Sequence, residues 1–418
     1  MKTKKSTKKR IILTAVILLV IQALSGIPTP GVNTEYFREL LDSNATAGLL
    51  NMMSGNGLSN LSITMLSITP YITASIILQL LMVLIRPLEE MQKDGEVGKN
   101  KFKKLTISLG VILALIEALG FAIGFGKQGL LISYKWYWIL CVTVIWTLMA
   151  ILLMLAGDYI EKNGFGNGIS LILLCNILTS YPSDVMSVYE RFLHGYAFNK
   201  VIIHTIIIAL VGIFLFTFTT FIQLVEKRIP VKYSAKLGSI GLERSFFPIK
   251  LCPGTVVPVI FASSIMSFPA LIASFMGKSY WIVDMLNSTK WFDLQNPSYS
   301  IGVLIYIALI FVFSYFYTEM ILNPLEIANN FKKSGGAFPN VRPGQETVDY
   351  LTKEMKKTIA IGAAALSIIA LVPCIISGIF GLSKLSFAGT SIIIIVGVIV
   401  ETAERFLAEK NMKKLELI

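Results

Sequence analysis

The sequence predicts an all-α polytopic membrane protein with ten transmembrane helices, and three observations lead to this fold class. The 418-residue chain is 54% hydrophobic and only 15% charged, with a mean hydropathy of +0.70, whereas a soluble domain carries roughly 25% charged residues. Apolar runs of about 20 residues, the length of a helix that crosses a bilayer, recur along nearly the whole chain. Lys and Arg residues gather in alternate connecting segments, as membrane topology requires.

Ten apolar runs follow one another, and each predicts one span. The first run comes after a Lys-rich start and has the outline of a signal peptide. Because Ile27-Pro-Thr-Pro-Gly31 follows it instead of a small-residue cleavage site, we expect a retained helix. The predicted spans are 11–27, 61–85, 105–125, 136–156, 168–182, 201–225, 254–276, 300–323, 357–380 and 387–408.

The distribution of basic residues predicts the orientation of the spans. With the N-terminus inside, 29 of the 37 Lys and Arg residues lie on the cytoplasmic side and 8 on the other side. The positive-inside rule therefore predicts a multi-pass protein of the cytoplasmic membrane with both termini cytoplasmic. Two predicted cytoplasmic loops, 226–252 and 324–357, are long, basic and rich in Gly and Pro. Their length favours docking of a soluble partner over a topology signal alone.

The segment 44–60 is semi-apolar and interrupted by glycine, and it leads directly into the second predicted span. It is too polar to face lipid and too apolar for a free loop. Irregular backbone at membrane depth occurs only where protein or a water-filled cavity surrounds it. A re-entrant segment inside a pore fits this pattern, and a plain extracellular loop is the alternative.

The sequence contains no set of residues typical of an enzyme or a metal site. The stretch Gly95–Lys99 lacks the spacing and the Ser or Thr of a phosphate-binding loop. The four cysteines are single, and His194 and His204 have no acidic or cysteine cluster near them in the sequence. We therefore expect no enzymatic activity, no metal and no cofactor.

Two polar side chains, Gln79 and Glu117, lie within otherwise apolar spans. A buried polar group at this depth needs a partner. A hydrogen bond between neighbouring membrane helices contributes on the order of 0.6–2 kcal/mol, which is weak enough to break and form again. The pair could therefore belong to a gate, and a static structural bond is the alternative.

Several motifs, in the same order along nearly the whole chain, resemble the SecY family of protein translocase channels. They cover parts of the second, fifth, seventh and tenth spans and both long cytoplasmic loops. The matching segments are 67–81, 164–170, 226–233, 258–269, 323–330, 341–344 and 389–391.

This resemblance implies two inverted five-helix halves around a central pore. Residues 1–195 would form the first half with a plug at 44–60, and residues 196–418 the second half with both long loops. The implied function is a protein-conducting channel that translocates unfolded secretory polypeptides and releases membrane-protein helices laterally into the cytoplasmic membrane.

The resemblance also implies four groups of functional residues, most of which composition alone would read as ordinary core or surface. The pore ring would consist of Ile68, Ile72, Ile169, Leu173, Ile260 and Ile394, and the plug would include Leu49, Leu50, Met52, Met53, Ser54 and Gly55. The lateral gate would include Thr73, Gln79, Glu117, Ser264 and Phe268. Lys227, Arg228 and Arg342 would dock the SecA motor or the ribosome.

The implied partners are SecE and SecG companions, SecA, the ribosome, signal sequences, nascent polypeptides and membrane lipids. The sequence departs from the family pattern at Gln22, where members usually carry Arg, and at Phe165 and Leu173, where Ile is common. The stretch 234–252 is also shorter and less basic than usual, and it ends in Cys252-Pro253. An accessory paralogue with restricted substrates is therefore an alternative; a small-solute secondary transporter and a structural scaffold are the others.

Overall fold

A computed structural model describes residues 7–34, 51, 53–93, 95–192, 198–233, 245–254, 256–276, 281–287, 291–292, 297–380 and 388–415. Ten long helices in this part of the chain match the ten predicted spans in order. They are α1 (Thr7–Ser25), α2 (Thr69–Leu84), α4 (Gly95–Gly124), α5 (Trp136–Asn163), α6 (Gly168–Phe192), α7 (Phe198–Leu224), α8 (Val257–Met276), α10 (Ile301–Ile321), α12 (Gln345–Phe380) and α13 (Ala388–Leu415). Shorter helices are α3 (Arg86–Lys93), α9 (Trp281–Leu286) and α11 (Pro324–Lys333).

The apolar composition of these helices fits a membrane-spanning bundle. By length and composition, five described stretches can each cross a bilayer: Val97–Gly124, Trp136–Asn163, Val201–Leu224, Ser298–Lys333 and Gln345–Ile376. Three further apolar stretches are shorter: Thr69–Met82, Gly168–Pro182 and Val257–Ser267. The chain is a mostly helical polytopic membrane protein, as the sequence predicts.

The second span begins later than predicted. Residues 61–68 form turns, and α2 starts only at Thr69. Leu61 and Ser67 have φ values of 41° and 50°, a left-handed conformation that interrupts a helix. Pro70 stands in the first turn of α2, where its missing N–H leaves no hydrogen bond unmade.

The two segments predicted as long loops contain regular structure. Strand β1 (Glu226–Tyr233) pairs antiparallel with β2 (Ser245–Lys250) and with the short β3 (Gly336–Ala337), in the order β2-β1-β3. A buried cluster joins this sheet to α11 and α12, and its members include Ile229, Val231, Ile249, Phe331, Phe338, Leu351 and Met355. The segments 226–252 and 324–357 are therefore one packed unit in the described residues, and 234–244 lie outside them.

Helix packing defines two contacts between residues 1–195 and residues 196–418. On one side α8 packs against α4, and on another side α13 packs against α6. Near the second contact, Phe165 and Phe406 meet edge to face with ring centroids 6.0 Å apart. We call the end of the bundle that carries Thr7 and Glu409 the terminal end, because the Thr7 hydroxyl donates to the Glu409 carboxylate there.

Candidate functional site

The six side chains predicted to form a pore ring all belong to one apolar cluster. Ile68, Leu173 and Ile394 are buried within it, and Ile72, Ile169 and Ile260 are partly buried and pack against it. Helices α2, α6, α8 and α13, together with the turn before α2, contribute these residues. The cluster is large and also contains core residues such as Trp291 and Phe313, so it places the six side chains in one continuous apolar core, and their arrangement as a ring stays a prediction.

Two glycines set the position of Ile169 in this cluster. A Cβ on Gly157 of α5 would lie 2.5 Å from Cδ1 of Ile169. A Cβ on Gly168 would overlap the backbone carbonyl of Gly157. Because neither residue has a side chain, α5 and the start of α6 come into backbone contact, and Ile169 reaches into the space over Gly157.

The described part of the predicted plug packs on the same cluster. Met53 is 4% exposed and is a member of the cluster that holds the six ring side chains. Ser54 and Gly55 are also buried. Leu49, Leu50 and Met52 lie outside the described residues.

Segment 53–60 is a compact series of turns with its own hydrogen bonds. The Ser54 hydroxyl accepts from the backbone N–H of Leu58 at 3.0 Å. The side chain of Asn51 accepts from the N–H of Ser59 at 2.8 Å and donates to Oδ1 of Asn56 at 3.2 Å. These bonds satisfy buried backbone groups without a regular helix.

A buried amide that the sequence analysis did not single out joins this segment to the helices. Nδ2 of Asn176 on α6 donates to the carbonyl oxygen of Met53 and to Oγ of Ser67, both at 2.8 Å. Oδ1 of Asn176 accepts from Nε2 of Gln22 on α1 at 2.9 Å. Gln22, noted above as a departure from the family pattern, thus has a defined partner. A lone Asn within the apolar run of α6 is the sequence signal for this site.

The predicted gate residues lie on three helices, α2, α4 and α8. These helices pack together at one of the contacts between residues 1–195 and residues 196–418. Thr73 and Gln79 are on α2, Glu117 is on α4 and Ser264 is on α8, where α8 packs against α4 and α4 packs against α2. The side chain of Phe268 is outside the described residues.

The hydrogen bonds of the α2 gate residues stay within that helix. Oγ1 of Thr73 donates to the carbonyl oxygen of Thr69 at 3.1 Å. Nε2 of Gln79 donates to Oγ of Ser75 at 2.9 Å, and its buried Oε1 has no hydrogen-bond partner among the described residues. The bond between helices expected for Gln79 is therefore replaced by one within α2, because Ser75 lies one turn earlier on the same face.

The three predicted docking residues are in the unit formed by the sheet, α11 and α12. The Lys227 ammonium pairs with the Glu354 carboxylate, and the Arg228 guanidinium with that of Glu226 at 3.0 Å. Arg342 is exposed, and its backbone N–H donates to the carboxylate of Glu346 at 3.2 Å. Arg342 and Arg228 thus present more accessible cations than Lys227.

Comparisons with known proteins give a consistent result for nearly the full chain. The SecY family model matches residues 62–403. The protein translocase subunit SecY of Staphylococcus epidermidis is 33% identical over 420 aligned residues, covering 99% of this chain and 96% of that protein.

Two solved structures share the fold at low sequence identity. A protein-conducting channel is 16% identical with a TM-score of 0.67, covering 98% of this chain and 94% of that one. Canine Sec61, in a ribosome-channel complex from the endoplasmic reticulum, is 16% identical with a TM-score of 0.65 and the same coverage. At these identities the likeness concerns the arrangement of helices.

Proposed function

The chain belongs to the SecY family, and we therefore propose that it forms a protein-conducting channel. Its cargo is unfolded secretory polypeptide crossing the membrane, together with membrane-protein helices that leave laterally into lipid. The observation that carries this proposal is family membership over nearly the whole chain, and it is supported by the single apolar core that contains or contacts Ile68, Ile72, Ile169, Leu173, Ile260 and Ile394.

An apolar ring suits a channel for polypeptides of any sequence. Branched side chains from several helices close on one another when no cargo is present, and a hydrophobic constriction of this kind excludes water and ions by dewetting. When a chain passes, the same side chains fit around it without fixed charges that would bind some residues and repel others. The ring thus seals the pore around the passing chain.

The plug segment adds a second barrier on the side away from the terminal end. Met53 belongs to the same apolar core as the ring residues, which supports a position of the segment next to the pore. Hydrogen bonds within residues 51–62, such as Ser62 N–H to the Gly57 carbonyl, would let its described part move as a unit.

The proposed lateral gate is the boundary between α2 and α8, with α4 beside it and packed against both helices. Separating these helices opens a path from the pore to lipid, through which an apolar signal sequence can leave water. Burial of its apolar surface contributes roughly 25 cal/mol per Å², which offsets the loss of helix contacts. Gln79, one of the gate residues on α2, has a buried Oε1 without a hydrogen-bond partner among the described residues, and an unsatisfied buried acceptor lowers the stability of the closed state.

The driving force comes from partners that dock at the terminal end, which we place in the cytoplasm with both termini. Arg228 and Arg342 are available for the phosphates of ribosomal RNA or for carboxylates of a SecA motor. The canine Sec61 relative in a ribosome-channel complex supports the ribosome as one such partner. SecE and SecG companions are proposed from family membership alone.

Crosslinking to a stalled secretory chain tests the proposal. Photoreactive probes attached to cysteine at Ile72 and at Ile260, in a variant without the four native cysteines, should both react with the stalled chain when SecA and companions are present. Cysteine at Leu210, which is 62% exposed on α7, is the control and should not react. Absence of crosslinks at both ring positions in an inserted, active preparation would overturn the proposal.

A further inference from the structure

The described residues at the centre of the plug segment, 53–57, touch the helix bundle through few polar groups. Within residues 53–57, the described hydrogen bond that reaches a long helix is the one that Asn176 donates to the Met53 carbonyl oxygen. The other described bonds of this stretch, such as Gly57 N–H to the Ser54 carbonyl, stay within residues 51–62. A segment satisfied mainly by itself can detach as a unit, so the contact with Asn176 matters for its position.

The segment rests directly on this side chain. A Cβ on Gly55 would lie 3.1 Å from both Cα and Oδ1 of Asn176 and 3.3 Å from its Cβ. Gly55 also has a φ of 64°, which glycine adopts at little cost. The turn at Gly55 therefore lets the backbone approach α6 closely enough for the Met53 carbonyl to reach the amide.

The side-chain amide of Gln22 orients that of Asn176. Nε2 of Gln22 donates to Oδ1 of Asn176, which turns the Nδ2 group towards Met53 and Ser67. The Ser25 hydroxyl donates to the Gln22 carbonyl oxygen at 2.7 Å and lies 3.2 Å from Oε1 of the same residue. The amide of Asn176 therefore has both N–H donors in use and its oxygen engaged, in a site where it is 2% exposed.

We propose that Asn176 is the latch of the closed channel, with Gln22 as its positioning residue. Its two donated bonds fasten the plug segment and the turn before α2 to α6, and their release frees the segment from the ring. This inference rests on the proposed channel function and adds to it the polar contact that must break before the pore opens.

The role of Asn176 is tested by measuring the ion leak of the channel in the absence of cargo. Asn176→Ala and Asn176→Leu, the second close to Asn in size, should each raise the leak of proteoliposomes about fivefold, the change in population expected when one or two neutral buried hydrogen bonds are lost. Gln22→Ala should give a smaller rise, because it leaves both donated bonds possible. Thr179→Ala removes a hydroxyl that donates to the Cys175 carbonyl oxygen on the exposed side of α6 and should leave the leak unchanged.

A reversible covalent latch separates this role from a general loss of stability. In a Cys175→Ser background, Gly55→Cys with Asn176→Cys places the two Cβ atoms 3.3 Å apart, a few tenths of an ångström closer than the roughly 3.5–4.5 Å of a disulfide, and loss of free thiol first verifies that the bond forms. The reduced form should leak at least as much as Asn176→Ala, because a side chain at the left-handed position 55 adds strain, and oxidation should lower the leak and block polypeptide translocation. The two single cysteine variants should not respond to oxidation.

The outcomes distinguish the latch from the channel function itself. If the wild type translocates a secretory precursor while Asn176→Ala and Asn176→Leu leak no more than Thr179→Ala, the latch is wrong and the channel function stands. If the wild type with its companions translocates nothing, the channel function fails and the latch fails with it. A leak in the reduced double-cysteine variant that oxidation does not reverse also overturns the latch.

Discussion

Arg10 at the start of α1 and Glu409 near the end of α13 form an ion pair, with Nη1 and Oε2 3.3 Å apart. The pair joins the first and last helices of the bundle. Arg10 also donates from Nε to the carbonyl oxygen of Gly164 at 2.7 Å, and its guanidinium lies 6.0 Å from the ring centroid of Phe165. The arginine thus contacts α13, the end of α5 and the aromatic ring that follows it, and Glu409 also accepts from the Thr7 hydroxyl.

The bond to Gly164 predicts that Arg10 stabilises the bundle beyond its pair with Glu409. Arg10→Ala should lower the thermal midpoint even in a Glu409→Ala background, because it also leaves the Gly164 carbonyl without its donor. Both side chains are partly exposed, so the coupling energy from a double-mutant cycle should be below about 1 kcal/mol and should fall with salt. No shift for Arg10→Ala in the Glu409→Ala background would contradict the assignment.

The close contact of α5 and α6 predicts that Gly168 cannot carry a side chain. Gly168→Ala places a Cβ on the backbone carbonyl of Gly157, and the helices must separate at a cost of about 1–3 kcal/mol or more. We expect less inserted protein and a displaced Ile169, measured by membrane yield and by crosslinking at position 169. Gly212→Ala is the matched control, because nothing lies within 4 Å of its Cβ.

The apolar character of the ring predicts the effect of one charge. Ile394→Asp puts a carboxylate into a cluster in which Ile394 is 5% exposed, and a hydrated group there opposes dewetting. Ion conductance of the closed channel should rise severalfold while the protein remains inserted. The same substitution at Ile213, which is 64% exposed on α7, should affect insertion but not conductance, and a similar conductance for both variants would argue against the ring.

The exposed guanidinium of Arg342 predicts a partner-specific defect. Arg342→Glu should sharply reduce SecA-driven export of a precursor while the inserted amount stays at the wild-type level. Lys227→Ala should have a smaller effect, because the ammonium group is already paired with Glu354. Lys127→Glu makes the same change of charge at the opposite end of the bundle and should export normally; a defect there equal to that of Arg342→Glu would remove the docking role.

The sequence predicts the ten helices because hydrophobic length is a local property that needs no knowledge of neighbours. It places the start of α2 wrongly, because residues 61–68 are nearly as apolar as the helix and their turns depend on left-handed backbone at Leu61 and Ser67. The two long loops join into one sheet because β1 pairs with β3, about a hundred residues further along the chain. No short sequence pattern predicts such a distant pairing.

The six ring residues and Asn176 also differ in whether the sequence predicts a role for them. The ring residues could be predicted because ordered motifs carry the family resemblance. Asn176 could not be assigned a role in this way, because its partners Met53 and Gln22 are 123 and 154 residues away along the chain. Only the fold shows that this amide faces a carbonyl group and another amide.

The sheet β2-β1-β3 gives the docking unit a mechanical property. It unites residues from both long connecting segments, and it is tied to α12 by the Lys227–Glu354 pair and to α13 by the Lys250–Glu404 pair, at 2.6 Å for the latter. A partner that binds this unit as proposed would therefore contact a body joined to two spanning helices at once. One of them, α13, carries Ile394 of the proposed ring, so a shift of the docked unit would be passed to that helix.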